Sequence, residues 1–262
     1  VTDEAIDMSL WRNLNDHELA KTLAREAGRQ LLAHRTSLVA TGTTMWTLKD
    51  TGDMLGHRFL MTGLREARPN DAVLSEEGAD DSRRLSTDRV WIIDPLDGTN
   101  EYGEGRADWA VHVALWEQGK LTAGAVSLPA IDEVFCTDPA PVVGSRESER
   151  PRLVTSRNRA PYCAVIVAED LNCEALRLGS AGAKAMSIVM NEADIYVHDG
   201  GMHQWDSAAP AAVAAAAGLH VSRIDGTPLI YNDRDTWLPD LLVCRKEFAE
   251  PVLESLWGKR SR

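Results

Sequence analysis

The amino-acid sequence predicts an α/β protein, α+β in its first half and alternating strand and helix in its second. Three observations support that class. Apolar residues recur every four positions near the start. Two strand-like segments flank a Gly-containing turn in the middle. Short strand and helix patterns alternate beyond residue 150. The chain has 262 residues, 44% of them hydrophobic, so it can bury a substantial core.

The first helix is predicted over residues 15–34. Asn15 supplies an N-cap, Glu18 completes a capping box, and Leu19, Leu23, Ala27 and Leu31 form one stripe. A second helix is expected over 53–68, with Leu55, Phe59, Leu60 and Leu64 inward and Pro69 beyond its end. Residues 72–75 read as a short strand leading into Glu76 and Glu77, and 90–93 as a strand leading into Asp94. Segments 109–116 and 121–128 read as a hairpin, and 132–137 as a further strand. The stretch 138–152 is rich in Pro, Ser and charge. It marks the expected boundary between a metal-binding α+β domain, 1–145, and an α/β domain, 146–262, that completes the site. Beyond it, strands are expected at 153–155, 164–168, 176–178, 194–198 and 241–244. Helices are expected at 182–191, 206–217 and 246–257.

Composition excludes several functions. A net charge of −12 opposes binding to nucleic acid or an anionic membrane surface. No run of 18 apolar residues suggests a membrane span. The acidic first residues lack the apolar stretch of a secretory signal, so a cytoplasmic protein is expected. Cys136, Cys163, Cys173 and Cys244 form no CxxC pair and read as free thiols. The histidines show no HExxH spacing and read as structural or surface residues.

The strongest chemical signal is Asp94-Pro-Leu-Asp-Gly-Thr-Asn100 behind an apolar strand. Two carboxylates three residues apart can face one point, and hard oxygen ligands suit Mg²⁺. The amides of Gly98, Thr99 and Asn100 could open a helix toward a phosphate. A capped turn is the plainer alternative. The phosphatases that form a phospho-aspartate carry two aspartates only two apart near the chain start, which does not match. Weaker signals follow. Ser75-Glu76-Glu77-Gly78 ends a strand, and its adjacent glutamates should point to opposite sides. Asp206 precedes an alanine-rich helix and could bind metal or cap it. Asp50 or Asp53 could cap a helix. Gly179-Ser-Ala-Gly-Ala-Lys184 precedes a helix, and Arg157 follows a strand. Lys184 and Arg157 could each meet a phosphate.

In series, these motifs resemble the inositol monophosphatase superfamily. They are GD at 52–53, SEE at 75–77, DPLDGTNEY at 94–102, GSAGAK at 179–184 and WDSAAP at 205–210. Lys184 and the SRN at 156–158 make the chain similar to the CysQ-type 3′-phosphoadenosine 5′-phosphate phosphatases, particularly actinobacterial ones. The resemblance implies a layered α-β-α-β-α sandwich and a homodimer. It implies two or three Mg²⁺ ions on Glu76, Asp94, the Leu96 carbonyl, Asp97 and Asp206, with inhibition by Li⁺. Thr99 and Asp53, with Glu76, would form the catalytic set, and the Gly98 and Thr99 amides would hold phosphate. Lys184, Arg157, Ser180 and Gly182 would contact substrate. The LKDTGD stretch departs from the family's usual helix-aspartate pattern, so Asp50 or Asp53 could take that role.

The expected reaction is hydrolysis of a small phosphorylated nucleotide, 3′-phosphoadenosine 5′-phosphate, in sulfate assimilation. An inositol or sugar phosphate is the alternative substrate. A non-catalytic nucleotide-binding homologue is the contrasting class, opposed by the intact set Glu76, Asp94, Asp97, Thr99 and Asp206.

Overall fold

The computed structural model describes residues 7–258. Two long helices open it, α1 (Asp16–Ala40) and α2 (Met45–Ala67). Asn15 caps α1 through the expected capping box with Glu18. Strands β1 (Ala72–Ser75) and β2 (Arg89–Asp97) follow, then the short helix α3 (Thr99–Gly103). Next come β3 (Ala110–Glu117), β4 (Lys120–Leu128) and β5 (Glu133–Cys136). These five strands form one sheet in sequence order, with β1 parallel to β2 and every other pair antiparallel.

The second half begins with β6 (Arg152–Ser156), α4 (Tyr162–Asp170), β7 (Glu174–Leu178) and α5 (Ala181–Val189). It continues with β8 (Ile195–His198), β9 (Met202–His203), α6 (Gln204–Ala216) and β10 (His220–Ser222). It ends with β11 (Trp237–Leu238), β12 (Leu241–Cys244) and α7 (Lys246–Trp257). A second sheet runs β10-β12-β8-β6-β7, and β9 pairs with β11 as a separate ribbon.

Side-chain alternation fixes the layers. On β2, Trp91 and Ile93 face α1 and α2 and share a core with Leu19, Leu23, Leu31, Leu60 and Leu64. Val90 and Ile92 face the other way, onto Ala185, Met186, Ala208 and Ala209 of α5 and α6. The same two helices meet Val154, Tyr196 and Val243 of the second sheet. That sheet's far side, Leu153, Ile195, Val197 and Leu242, packs on Val167 of α4 and on Val252 and Leu256 of α7. The result is helices, sheet, helices, sheet, helices, the expected sandwich. Alanines on α6 permit close packing: a Cβ at Gly124 of β4 would lie 3.0 Å from Ala212 Cβ.

Two predicted elements are corrected. Residues 164–168 are helix, not strand. Pro161 precedes the first turn, and Cys163, Ala164 and Val167 bury one face while Val165 is exposed. A short run of Val and Ile does not by itself distinguish the two periods. Helix α2 begins eight residues earlier than expected, at Met45, so Asp50 and Asp53 are interior positions and not caps. Gly52 disguises its first turns as a loop, but it is there for contact: an added Cβ would lie 2.9 Å from the Tyr102 ring. A Cβ on Gly56 would lie 3.0 Å from the Pro95 carbonyl, so α2 rests directly on the Asp94–Asp97 turn.

Candidate active site

Strand β2 continues through Asp97 with an irregularity. Asp94 pairs with His112, whereas Asp97 pairs with Ala110. Three steps on β2 therefore match two on β3, which is a β-bulge at Pro95 and Leu96. In an unbroken strand, residues three apart face opposite sides. The extra residue turns Asp94 and Asp97 toward a common space. Gly98 follows at φ 91°, a left-handed conformation that glycine tolerates, and α3 starts at Thr99.

Parallel pairing of Ser75 with Ile93 sets Glu76 beside Asp94, and the two carboxyl groups act on each other's proton affinity. Asp206 approaches from the first turn of α6. Its carboxylate accepts from the His203 N–H at 2.7 Å. His203, not Asp206, is thus the N-cap position. From α2, Asp53 accepts from the Thr99 hydroxyl at 3.3 Å, and the same hydroxyl lies 3.2 Å from the Leu96 carbonyl. Asp50 is exposed, so the structure supports Asp53 for the helix-aspartate position.

Crowding of carboxylates shows in their proton affinities. Burial, then Glu76, Asp97 and Asp206, push Asp94 well above the usual carboxylate range. Desolvation and Asp206 push Glu76 up to about 7, although the residue as a whole stays open to solvent at the rim. Burial and Asp97 raise Asp206 to about 6. Burial and Glu77 raise Asp53 to about 7. Asp97 is the exception. Burial opposes its charge, but His112 and the Gly182 N–H hold it below the ordinary value.

The environment of Asp97 explains the glycine-rich loop. Its carboxylate accepts from the Ala181 N–H at 3.2 Å and the Gly182 N–H at 2.6 Å. The N-terminus of α5 is therefore aimed at Asp97. His112 Nε2 lies 3.2 Å from the same carboxylate, off the alignment of a full hydrogen bond, while Nδ1 donates to the Trp205 carbonyl at 3.1 Å. His112 is fully buried and links Asp97 to the residue before Asp206. Its part in the site is not recognised from sequence. The available signal was a lone polar ring inside the apolar run 109–116, where a buried polar group needs partners.

The residues expected to contact substrate all have partners inside the protein. Lys184 is not a free cation opening a helix. It is buried in α5, donates to the Gly179 carbonyl at 2.5 Å and lies over the Tyr196 ring. Arg157 Nη2 pairs with Glu101 at 3.0 Å and Glu104 at 2.8 Å. Ser180 Oγ caps α5 by accepting from the Ala183 N–H. The amide of Gly182 serves Asp97. All four have partners within the protein, although Arg157 Nε is buried without one.

Among the described residues, no three His, Cys, Asp or Glu side chains stand close enough together to hold an ion as they are. The donor set nevertheless fits a hard cation. Glu76, Asp94, Asp97, Asp206 and the Leu96 carbonyl offer only oxygen, and a carboxylate bonded to one or two amides keeps further lone pairs.

Residues 16–260 match the profile of the inositol monophosphatase family. The chain is 48% identical over 217 residues to a Mycobacterium bovis protein named 3′-phosphoadenosine 5′-phosphate phosphatase, covering 79% of this chain and 81% of the relative. It is 44% identical over 253 residues to the Mycobacterium leprae protein of the same name, covering 92% of each. In fold it is similar to the crystal structure of CysQ from Bacteroides thetaiotaomicron. That likeness has a TM-score of 0.74 at 24% identity and covers 88% of this chain and 97% of that one.

Proposed function

The chain belongs to the inositol monophosphatase family, and on that premise we propose that it is a Mg²⁺-dependent phosphomonoesterase converting 3′-phosphoadenosine 5′-phosphate to AMP and phosphate. One observation carries the chemistry: the bulge in β2 turns Asp94 and Asp97 to the side where Glu76 and Asp206 meet them. The substrate follows from the names of the mycobacterial relatives. In this reading the protein is a cytoplasmic homodimer serving sulfur metabolism, and residues 146–262 complete the site by supplying Asp206.

Two or three Mg²⁺ ions would be held by Glu76, Asp94, Asp97, Asp206 and the Leu96 carbonyl. Bound there, the metal would supply Lewis acidity to the phosphoryl group and to the leaving oxygen. The protein's own groups do the rest. The Thr99 hydroxyl donates to Asp53, so its oxygen can accept a hydrogen bond from the attacking water and hold it in line. Asp53, with its affinity raised to about 7, is suited to take a proton passed through Thr99 near neutral pH. The amides of Gly98 and Thr99 would hold the phosphate, with the positive φ of Gly98 keeping that turn free of a side chain.

The engaged state of Lys184 and Arg157 favours one alternative. Both already hold partners within the protein, so an inositol or sugar phosphate remains the second reading. Phosphate release from a panel of esters, with Mg²⁺ and with EDTA, separates the two. Preference for 3′-phosphoadenosine 5′-phosphate supports the first. Preference for inositol 1-phosphate sinks it, and undiminished activity in EDTA sinks the metal centre.

A further inference from the structure

We propose that Trp237, braced by His203, is an aromatic platform that stacks the nucleobase of the substrate; this rests on the nucleotide reading above. Lys184 and Arg157 already hold internal partners, so a further contact that selects a nucleotide is sought among uncharged groups. Trp237 on β11 is an exposed large aromatic joined to the carboxylate site through the β9–β11 ribbon. It pairs across the ribbon with His203, the residue whose N–H binds Asp206. Paired Cα atoms lie about 4.5–5.5 Å apart, and three helical residues add about 4.5 Å, so the Trp237 Cα stands within about 10 Å of the Asp206 Cα by backbone reach. That is within the span of one nucleoside.

The ring is held firmly and yet left open. One side lies on the backbone of Gly201, where φ is +78° and an added Cβ would come within 1.8 Å of the indole. Its neighbour His203 stands edge-on, with centroids 5.4 Å apart and planes at 81°. His203 is itself stacked on Trp205 at 4.5 Å and 8°, and its Nδ1 lies 3.0 Å from Thr236 Oγ1. The Trp237 backbone N–H donates to Asp235 Oδ1 at 3.0 Å, which fixes the main chain that carries the ring. Despite these restraints the residue is 49% exposed. A rigid indole with an open side suits base stacking, since every base presents a π-face and an already ordered ring loses little entropy on contact. Stacking also needs no positive charge, which suits a chain of net charge −12.

The test compares wild type, Trp237→Ala and Trp237→Phe with Mg²⁺, on 3′-phosphoadenosine 5′-phosphate and on inositol 1-phosphate. Loss of one stacking partner should raise KM for the nucleotide about 5- to 150-fold while kcat holds. The nucleotide-to-inositol phosphate ratio of kcat/KM should collapse by the same factor. Calorimetric binding of AMP should weaken in parallel, and Trp237→Phe should restore most of both. A nucleotide preference that survives Trp237→Ala overturns the platform alone. Equal losses on both substrates, with a lowered melting temperature, mean a structural tryptophan and also overturn it. So does a change in sedimentation at unchanged KM, which would assign the face to contact with a second copy. A wild type without nucleotide preference overturns the nucleotide reading itself, and the platform with it.

Discussion

The amide of Gly182 donates to Asp97 Oδ2 at 2.6 Å, tying the start of α5 to the end of β2 across the two halves of the chain. Nothing larger than glycine fits there. An added Cβ would lie 2.2 Å from His112 Nε2 and 2.9 Å from Ala110 Cβ. Gly182→Ala should therefore push α5 away from Asp97. Overpacking of this kind costs about 1–3 kcal/mol, and kcat should drop about 100-fold as a preorganised group moves. Thermal melting and steady-state kinetics read the two effects. A variant that melts normally with full activity would show that the contact is incidental.

The Thr99–Asp53 pair makes a second prediction. Thr99→Ala removes the hydroxyl that would orient water, and kcat should fall about 10²- to 10⁴-fold with KM little changed. Thr99→Ser keeps the hydroxyl and should recover most of the rate. Asp53→Asn should match the alanine variant. If Thr99→Ser is as poor as Thr99→Ala, the threonine acts through packing of α3.

Removal of metal should abolish activity. Glu76, Asp94, Asp97 and Asp206 repel one another, and burial and that repulsion raise the proton affinity of Glu76 and Asp94 when no cation is present. Added Mg²⁺ should restore the rate after EDTA and raise the melting temperature, since a cation bound only by the folded form stabilises it. Li⁺ should inhibit. A melting temperature indifferent to Mg²⁺ would count against an ion at these carboxylates.

Acid stability has a separate source at the base of the second sheet. Asp194 is fully buried and accepts from Arg152 at 3.1 Å and from Arg245 at 3.0 Å. Burial opposes its charge, but Arg152 and then Arg245 hold its carboxyl below the ordinary range. A carboxyl depressed on folding stabilises above the unfolded value, about 3.9, and loses that contribution as pH falls through the folded value. Asp194→Asn leaves two arginines facing a neutral group and should cost about 3–5 kcal/mol at neutral pH. The gap between variant and wild type should narrow below about pH 4. Urea titrations across that range measure it, and a pH-independent difference would refute the linkage.

Much of the site was legible because its parts lie at element ends with distinctive local chemistry. Asp94, Asp97 and Gly98 announce a turn after an apolar strand, and Asn15 with Glu18 announces a helix start. What was not legible depends on tertiary contact. Gly52 reads as lying before the helix until Tyr102 is seen against it. His112 reads as a lone ring until Asp97 and the Trp205 carbonyl are found on its two nitrogens. Lys184 and Gly182 look like a phosphate loop because glycine amides and a lysine near a helix start are what a phosphate needs. The same groups serve a buried carboxylate equally well, and sequence does not distinguish an anion of the protein from one of the substrate.

Lys184 therefore carries the last prediction. It is buried, its ammonium bonds the Gly179 carbonyl, and Asp97, Glu101, Asp108 and Asp206 act on it. Burial depresses its proton affinity, and those carboxylates oppose the effect. A lysine so placed acts as a counter-charge to the loop that holds Asp97. Replacing it with methionine keeps most of the volume and removes the charge. If that role is right, Lys184→Met lowers kcat on 3′-phosphoadenosine 5′-phosphate and inositol 1-phosphate alike, and lowers the melting temperature. Loss of a charged hydrogen bond worth about 1.5–3 kcal/mol corresponds to about a 10- to 150-fold effect. A direct contact with the substrate's second phosphate would instead raise KM for the nucleotide alone and spare inositol 1-phosphate. The substrate split thus decides between a lysine that supports the site and one that reads the ligand.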